Sequence, residues 1–150
     1  MTPGVVRRGI ATRIKVATGY TEAEGLLGVA GAPRTAASPV YEVRLTASAA
    51  IEGRQRSRAA QAHYVRRDVE VRVLSQGKPA ARVEQWEAAE IAEQRVRRAV
   101  LTDPVEDDAL ACLPRSSLVW LSADAPEYLD GGAWRLTVLR FHCSYLESLE

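Results

Sequence analysis

The chain is poor in the residues that most often carry chemistry or cross-links: two cysteines, two histidines, one methionine and one phenylalanine among 150 residues. Two cysteines cannot build the multi-bridge framework of a small secreted scaffold. Cys112 and Cys143 both sit among apolar neighbours and read as reduced core thiols, which points to a reducing cytoplasm. Excess charge of either sign is also missing. The 20 basic and 19 acidic residues leave a net charge of +1, which argues against a dedicated nucleic-acid binder held by surplus Lys and Arg at phosphates. No apolar run approaches the length needed to cross a bilayer. The first residues, MTPGVVRRGIATRIKV, scatter Arg and Lys through their apolar positions and do not form a secretory signal.

What remains is an ordinary globular composition, 47% apolar and 26% charged, in a length that suits a single domain over residues 1–150. The strongest pattern is Ala80 to Thr102. On a helical wheel Ala88, Ala89, Ala92, Val96, Ala99 and Val100 fall on one side, and Glu87, Glu90, Gln94, Arg97 and Arg98 on the other. Acids lead and arginines follow, as the helix dipole favours, and Glu93 is spaced to reach Arg97 one turn on. An earlier helix is expected from Thr2-Pro3, with Val6, Ile10, Ile14 and Ala17 on its apolar side and Gly19 as its left-handed cap.

Strands flank the long helix. Val40 to Ala49 alternates, with Tyr41, Val43, Leu45 and Ala47 on one face. HYVRRDVEVRVLSQG follows as a longer half-buried strand. Leu118 to Ala123 is a short strand, and WRLTVLRFHCSYL is apolar on both parities, as a covered central strand or one bulged at Arg140 would be. Between these lie a long loop over 20–39, an Arg-rich hairpin connection over 53–60 and a loop over 124–132 ending in the turn signal Asp130-Gly131-Gly132. A short helical piece, VEDDALACL, is expected before Pro114. The expected fold is α+β: a mostly antiparallel sheet of about four strands, one long helix packed across it and a short N-terminal helix.

Catalytic motifs are weak. GLLGVAG follows no strand and opens no helix, so it is no phosphate cradle. His63 and His142 lack metal-spaced neighbours, and Cys143 and Ser144 beside His142 form no catalytic pair through adjacency, because neighbouring strand residues point to opposite faces. Glu106, Asp107 and Asp108 form an acidic group of the kind that holds a divalent cation, but a first helical turn accounts for them. Trp86, Trp120, Trp134 and Tyr145 are candidates to line a pocket between sheet and helix, or else belong to the core. The reading is of a protein that is not an enzyme and needs no cofactor or metal.

The order VVRRGIATRIK, a variable loop, YEVRLTA and VRRDVEVRVLS as paired strands, VEQWEAAEIAEQRVRRAVLTD, then SSLVWLSA and WRLTVLRFHCSYL resembles the tail terminator proteins of long-tailed bacteriophages and related phage-like particles. The resemblance lies in layout over nearly the whole chain, without a short diagnostic motif. It implies a hexameric ring at the head-proximal end of the tail, assembled in the host cytoplasm. Such a ring stops tail-tube polymerisation and docks the tail to the head connector, while DNA passes through without specific binding. Its partners would be copies of itself, the tail tube protein and a neck protein, with no membrane. Interface candidates are Arg54, Arg56 and Arg58 at the hairpin tip, Leu26 and Leu27 in the long loop, and Tyr128 in the loop over 124–132. Competing expectations are another neck or head-completion protein, a tail tube subunit, a host-side adaptor, or a small ligand-binding α+β domain.

Overall fold

The computed structural model describes residues 1–23, 39–51, 62–76, 82–102, 108–113 and 117–148. Within them the elements run α1 (Pro3–Thr18), β1 (Thr21–Glu22), β2 (Val40–Ala50), β3 (Ala62–Gln76), α2 (Arg82–Leu101), β4 (Leu118–Ala123), β5 (Glu127–Leu129) and β6 (Trp134–Ser148). The expectation of about four antiparallel strands under one long helix is overturned. The sheet has six strands in the order β1-β2-β3-β6-β4, with β5 also on β6, and it is mixed because β1 runs parallel to β2. The two added strands are two and three residues long, too short to show an alternation in sequence. β1 falls in the stretch expected as the loop over 20–39, and β5 in the one expected over 124–132.

The helices share one face of the sheet. Val6, Ile10 and Ile14 of α1 and Val96, Ala99 and Val100 of α2 enclose a core with Tyr41, Val43, Val69, Val71, Val73, Leu139, Phe141, Cys143 and Tyr145. The first helix begins where its sequence says. Thr2 accepts a hydrogen bond from the Val5 amide, Pro3 opens the first turn, and Gly19 at φ 71° closes the last. At 16 residues against 20 for α2 it is a second full partner in the helical layer, not a minor appendage. Ala17 and Ala88, expected inside, are exposed.

Strand β6 is the spine. It pairs with β3 without interruption from Ala62↔Ser148 to Gln76↔Trp134, while β4 and β5 share its other edge. The irregularity anticipated at Arg140 lies instead in the strand opposite it: β4 carries an extra residue between Trp120 and Ser122, and a second bulge, in β2 against β3, falls between Leu45 and Ser48. The β2 bulge ends its alternation, so Ala47 is exposed. The odd residues of β6 face the helices. Among the even ones, Trp134 and Leu136 join Val40 and Leu74 in a smaller cluster on the far face. Both-parity apolarity in β6 therefore reflects two clusters on opposite faces.

Beside the small cluster the far face carries a checkerboard of charge. Arg44 pairs with Glu42 at 2.8 Å, and Arg140 bridges Glu70 and Asp124, each at 2.7 Å. Arg44, Glu70 and Arg140 are cross-strand neighbours in register, so opposite signs alternate along one row of the sheet.

Candidate interaction site at a sheet edge

The site expectations fall in very different places. Arg54, Arg56, Arg58, Leu26 and Leu27 lie outside the described residues. Tyr128 is described and is half-exposed on β5. Its ring meets Trp86 of α2 edge-on at 5.2 Å, and the two rings line an open groove of about 430 Å³ with Gly131 and Gly132. Those glycines, at φ 68° and 94°, make the turn that aims β5 back into β6, a backbone path that residues with a Cβ rarely follow.

Tyr128 belongs to a longer feature. β4 and β5 both hydrogen-bond to β6 on one side, and among the described residues no strand covers their other side. Along this edge Val119, Leu121 and Tyr128 are all exposed large apolar or aromatic side chains, with Leu121 and Tyr128 each 49% accessible. Leu121 is the extra residue of the β4 bulge. The edge carries neither lysine nor an inward charge on β4 to discourage contact, and exposed apolar residues grouped on a strand edge are the usual mark of a binding surface.

The edge is held rigidly from behind. Trp86, Glu90, Glu93 and Arg97 follow each other at helical spacing on α2 and meet, in order, Tyr128, Arg135, Thr137 and Trp120. Glu93 accepts from Arg135 Nε at 3.1 Å and from Thr137 Oγ1 at 2.5 Å. The anticipated Glu93–Arg97 pair is therefore replaced, because a half-buried carboxylate gains more from two cross-element donors than from an exposed neighbour. Arg97 instead lies 4.1 Å over the Trp120 ring, and Trp120 meets Phe141 edge-on. This row was missed in sequence because its polar members were assigned to solvent; the spacing 86, 90, 93, 97 was the signal that could have found it.

The four aromatic candidates do not converge. Trp86 stands by Tyr128, Trp120 on Phe141, Trp134 in the far-face cluster and Tyr145 in the main core. Of the acidic group only Asp108 is described, and it is spent on Arg13 at 2.6 Å. His142 is half-buried with Asp68 and Val119 as its register partners, and no group of three metal-ligating side chains occurs among the described residues.

The two thiols differ sharply. Cys112 is exposed, whereas burial pushes the Cys143 thiol up to about 12, with nearby Arg13 pulling weakly the other way. Burial also raises the Tyr41 phenol to about 12, helped by Glu22, and Tyr145 to about 12, helped chiefly by Glu147. Each group is ordinary when unfolded, near 8.5 for a thiol and 10 for a phenol. A folded value above the unfolded one means the native state holds its proton longer, so this stability is complete below about pH 8.5 and is lost as pH climbs toward 12. One thiol should react with a disulfide reagent at pH 8 and the other only after denaturation. Denaturation midpoints should hold level through neutrality and fall in alkali; equal reactivity of both thiols would contradict the buried placement.

The fold and site define a class: among the described residues, a six-stranded mixed sheet backed by two helices, with one apolar edge that no strand covers. A scan against protein-family models finds no match for the chain, and a search of curated proteins finds none either.

Proposed function

We propose that the protein is a structural subunit of a closed homo-oligomer, and specifically a tail terminator that caps a phage-type tail tube and docks it to the head connector. The observation that carries the reading is the open β4–β5 edge with Val119, Leu121 and Tyr128 exposed along it. A ring requires a head-to-tail contact in which one surface meets a different one on the next copy. An apolar edge on one side of a sheet, with the unlike edge formed by β1 and the remainder of β2 on the other, supplies two dissimilar surfaces of that kind. The bulges in β2 and β4 interrupt both edges and so disfavour indiscriminate strand addition. The resemblance in layout supplies the finer role.

The test is the assembly state of the purified chain in negative-stain images and by sedimentation, alone and with tail tubes. Closed rings of about six subunits that do not lengthen are expected. The double variant Val119→Lys with Leu121→Lys should keep the native circular dichroism yet lose the rings and the cap, because lysine on an edge strand blocks contact. Open-ended tubes would identify a tube subunit, and rings unaffected by the double change would remove this edge from the assembly.

A further inference from the structure

The outer face of α2 carries a charge pattern that no ion pair or hydrogen bond among the described residues uses. Glu84, Glu87, Ala88, Ile91, Gln94, Arg95 and Arg98 repeat at spacings of three and four and are all exposed. Ile91 stands at the centre of this stripe and is 52% accessible, while Val83 and Leu101 flank its two ends at 73% and 40%. Acids first and arginines last is also what the helix dipole favours. The dipole gives no reason for three exposed apolar residues in the same face.

The pattern is antisymmetric about Ile91. Seven residues before it is Glu84 and seven after it Arg98; four before it is Glu87 and four after it Arg95. We infer that this face binds a second copy of the same chain, α2 against α2 antiparallel, on a two-fold axis through Ile91. That arrangement sets Ile91 against Ile91. It also sets Glu84 opposite Arg98 of the second copy and Glu87 opposite its Arg95, with both pairs generated twice by the symmetry. Val83 and Leu101 project from the same flank of the helix, so Val83 of one copy meets Leu101 of the other at each end of the contact. Ala88 keeps the centre slim enough for ridges-into-grooves packing of the two helices. A parallel pairing would place Glu84 on Glu84 and Arg98 on Arg98, so the charges select the antiparallel one.

This surface is separate from the β4–β5 edge, and the inference stands whether or not the protein forms rings. Sedimentation of the full chain over a wide concentration range should show a monomer–dimer equilibrium that weakens as salt is added. Ile91→Glu should be monomeric with an unchanged circular dichroism spectrum. Arg98→Glu should weaken dimerisation about tenfold, since two pairs become repulsive. Combining Glu84→Arg with Arg98→Glu in one chain restores opposite signs across the axis and should recover dimerisation. A wild-type chain that stays monomeric, a dimer that survives Ile91→Glu, or a double reversal that fails to recover would each overturn the inference. Loss of rings in the Val119→Lys and Leu121→Lys double variant with this dimer intact would show that the two surfaces act independently.

Discussion

Asp108→Ala is expected to cost about 3–5 kcal/mol of stability, among the largest effects of any single change in this chain. The carboxylate is 2% accessible and the Arg13 guanidinium 10%, with Nε donating at 2.6 Å. Arg13 also donates to the carbonyl of Val100 near the end of α2, and Asp108 accepts from the amide of Leu110 at 2.8 Å. One ion pair therefore fastens α1, α2 and the segment that follows α2. Removing the acid strands a buried guanidinium with a single carbonyl and frees the turn that carries Leu110. That turn is tightly placed, because Leu110 fills the space above Gly9, where an added Cβ would lie 2.6 Å from the Leu110 Cγ. For a chain of this size the melting temperature should fall by roughly 2–4 °C for each kcal/mol lost. Replacing both partners by apolar residues, Arg13→Met with Asp108→Leu, should recover much of the loss, since the penalty lies in the unpaired charge. A single-variant loss below about 1 kcal/mol would show that water reaches the pair.

The second large effect is expected from Phe141→Ala, at about 3–5 kcal/mol. Phe141 is the single phenylalanine of the sequence and is fully buried in the middle of β6, with Val69 of β3 on one side and Trp120 of β4 on the other. Its ring meets Trp120 edge-on at 5.2 Å, and Trp120 in turn lies under Arg97. Truncation leaves a void that a fifteen-residue strand paired along its whole length cannot close by shifting. It also removes the support under β4. Urea unfolding should give a lower midpoint with an unchanged slope. Rings, where the wild type forms them, should be weakened in proportion to the loosening of β4. A midpoint close to wild type would mean the core can collapse around the missing ring.

The sequence by itself determined the elements that have long periodic patterns and explicit end signals. Thr2-Pro3 and Gly19 bounded α1, the Ala89–Val100 stripe oriented α2, and the alternations of β2 and β3 placed their inner faces. Each depends on neighbours within a few residues in the chain, which is why they could be read there. Tyr128 was singled out from its loop, and it stands half-exposed on β5 at the sheet edge.

Tertiary structure alone decided the rest. β1 and β5 exist because β2 and β6 offer hydrogen-bonding edges beside them, not because their own two or three residues prefer a strand. The extra residues fell on β2 and β4, each paired along much of its length on one side alone, because β3 and β6, paired on both edges, are the harder strands to distort. Glu93 left Arg97 for Arg135 and Thr137, residues more than forty positions away whose donors no local spacing announces. The charge antisymmetry of α2 stood in the sequence throughout. It gained meaning only when packing turned Ala89, Ala92 and Val96 inward and left Ile91 in solvent, because which face of a helix is free is a property of the assembled layers.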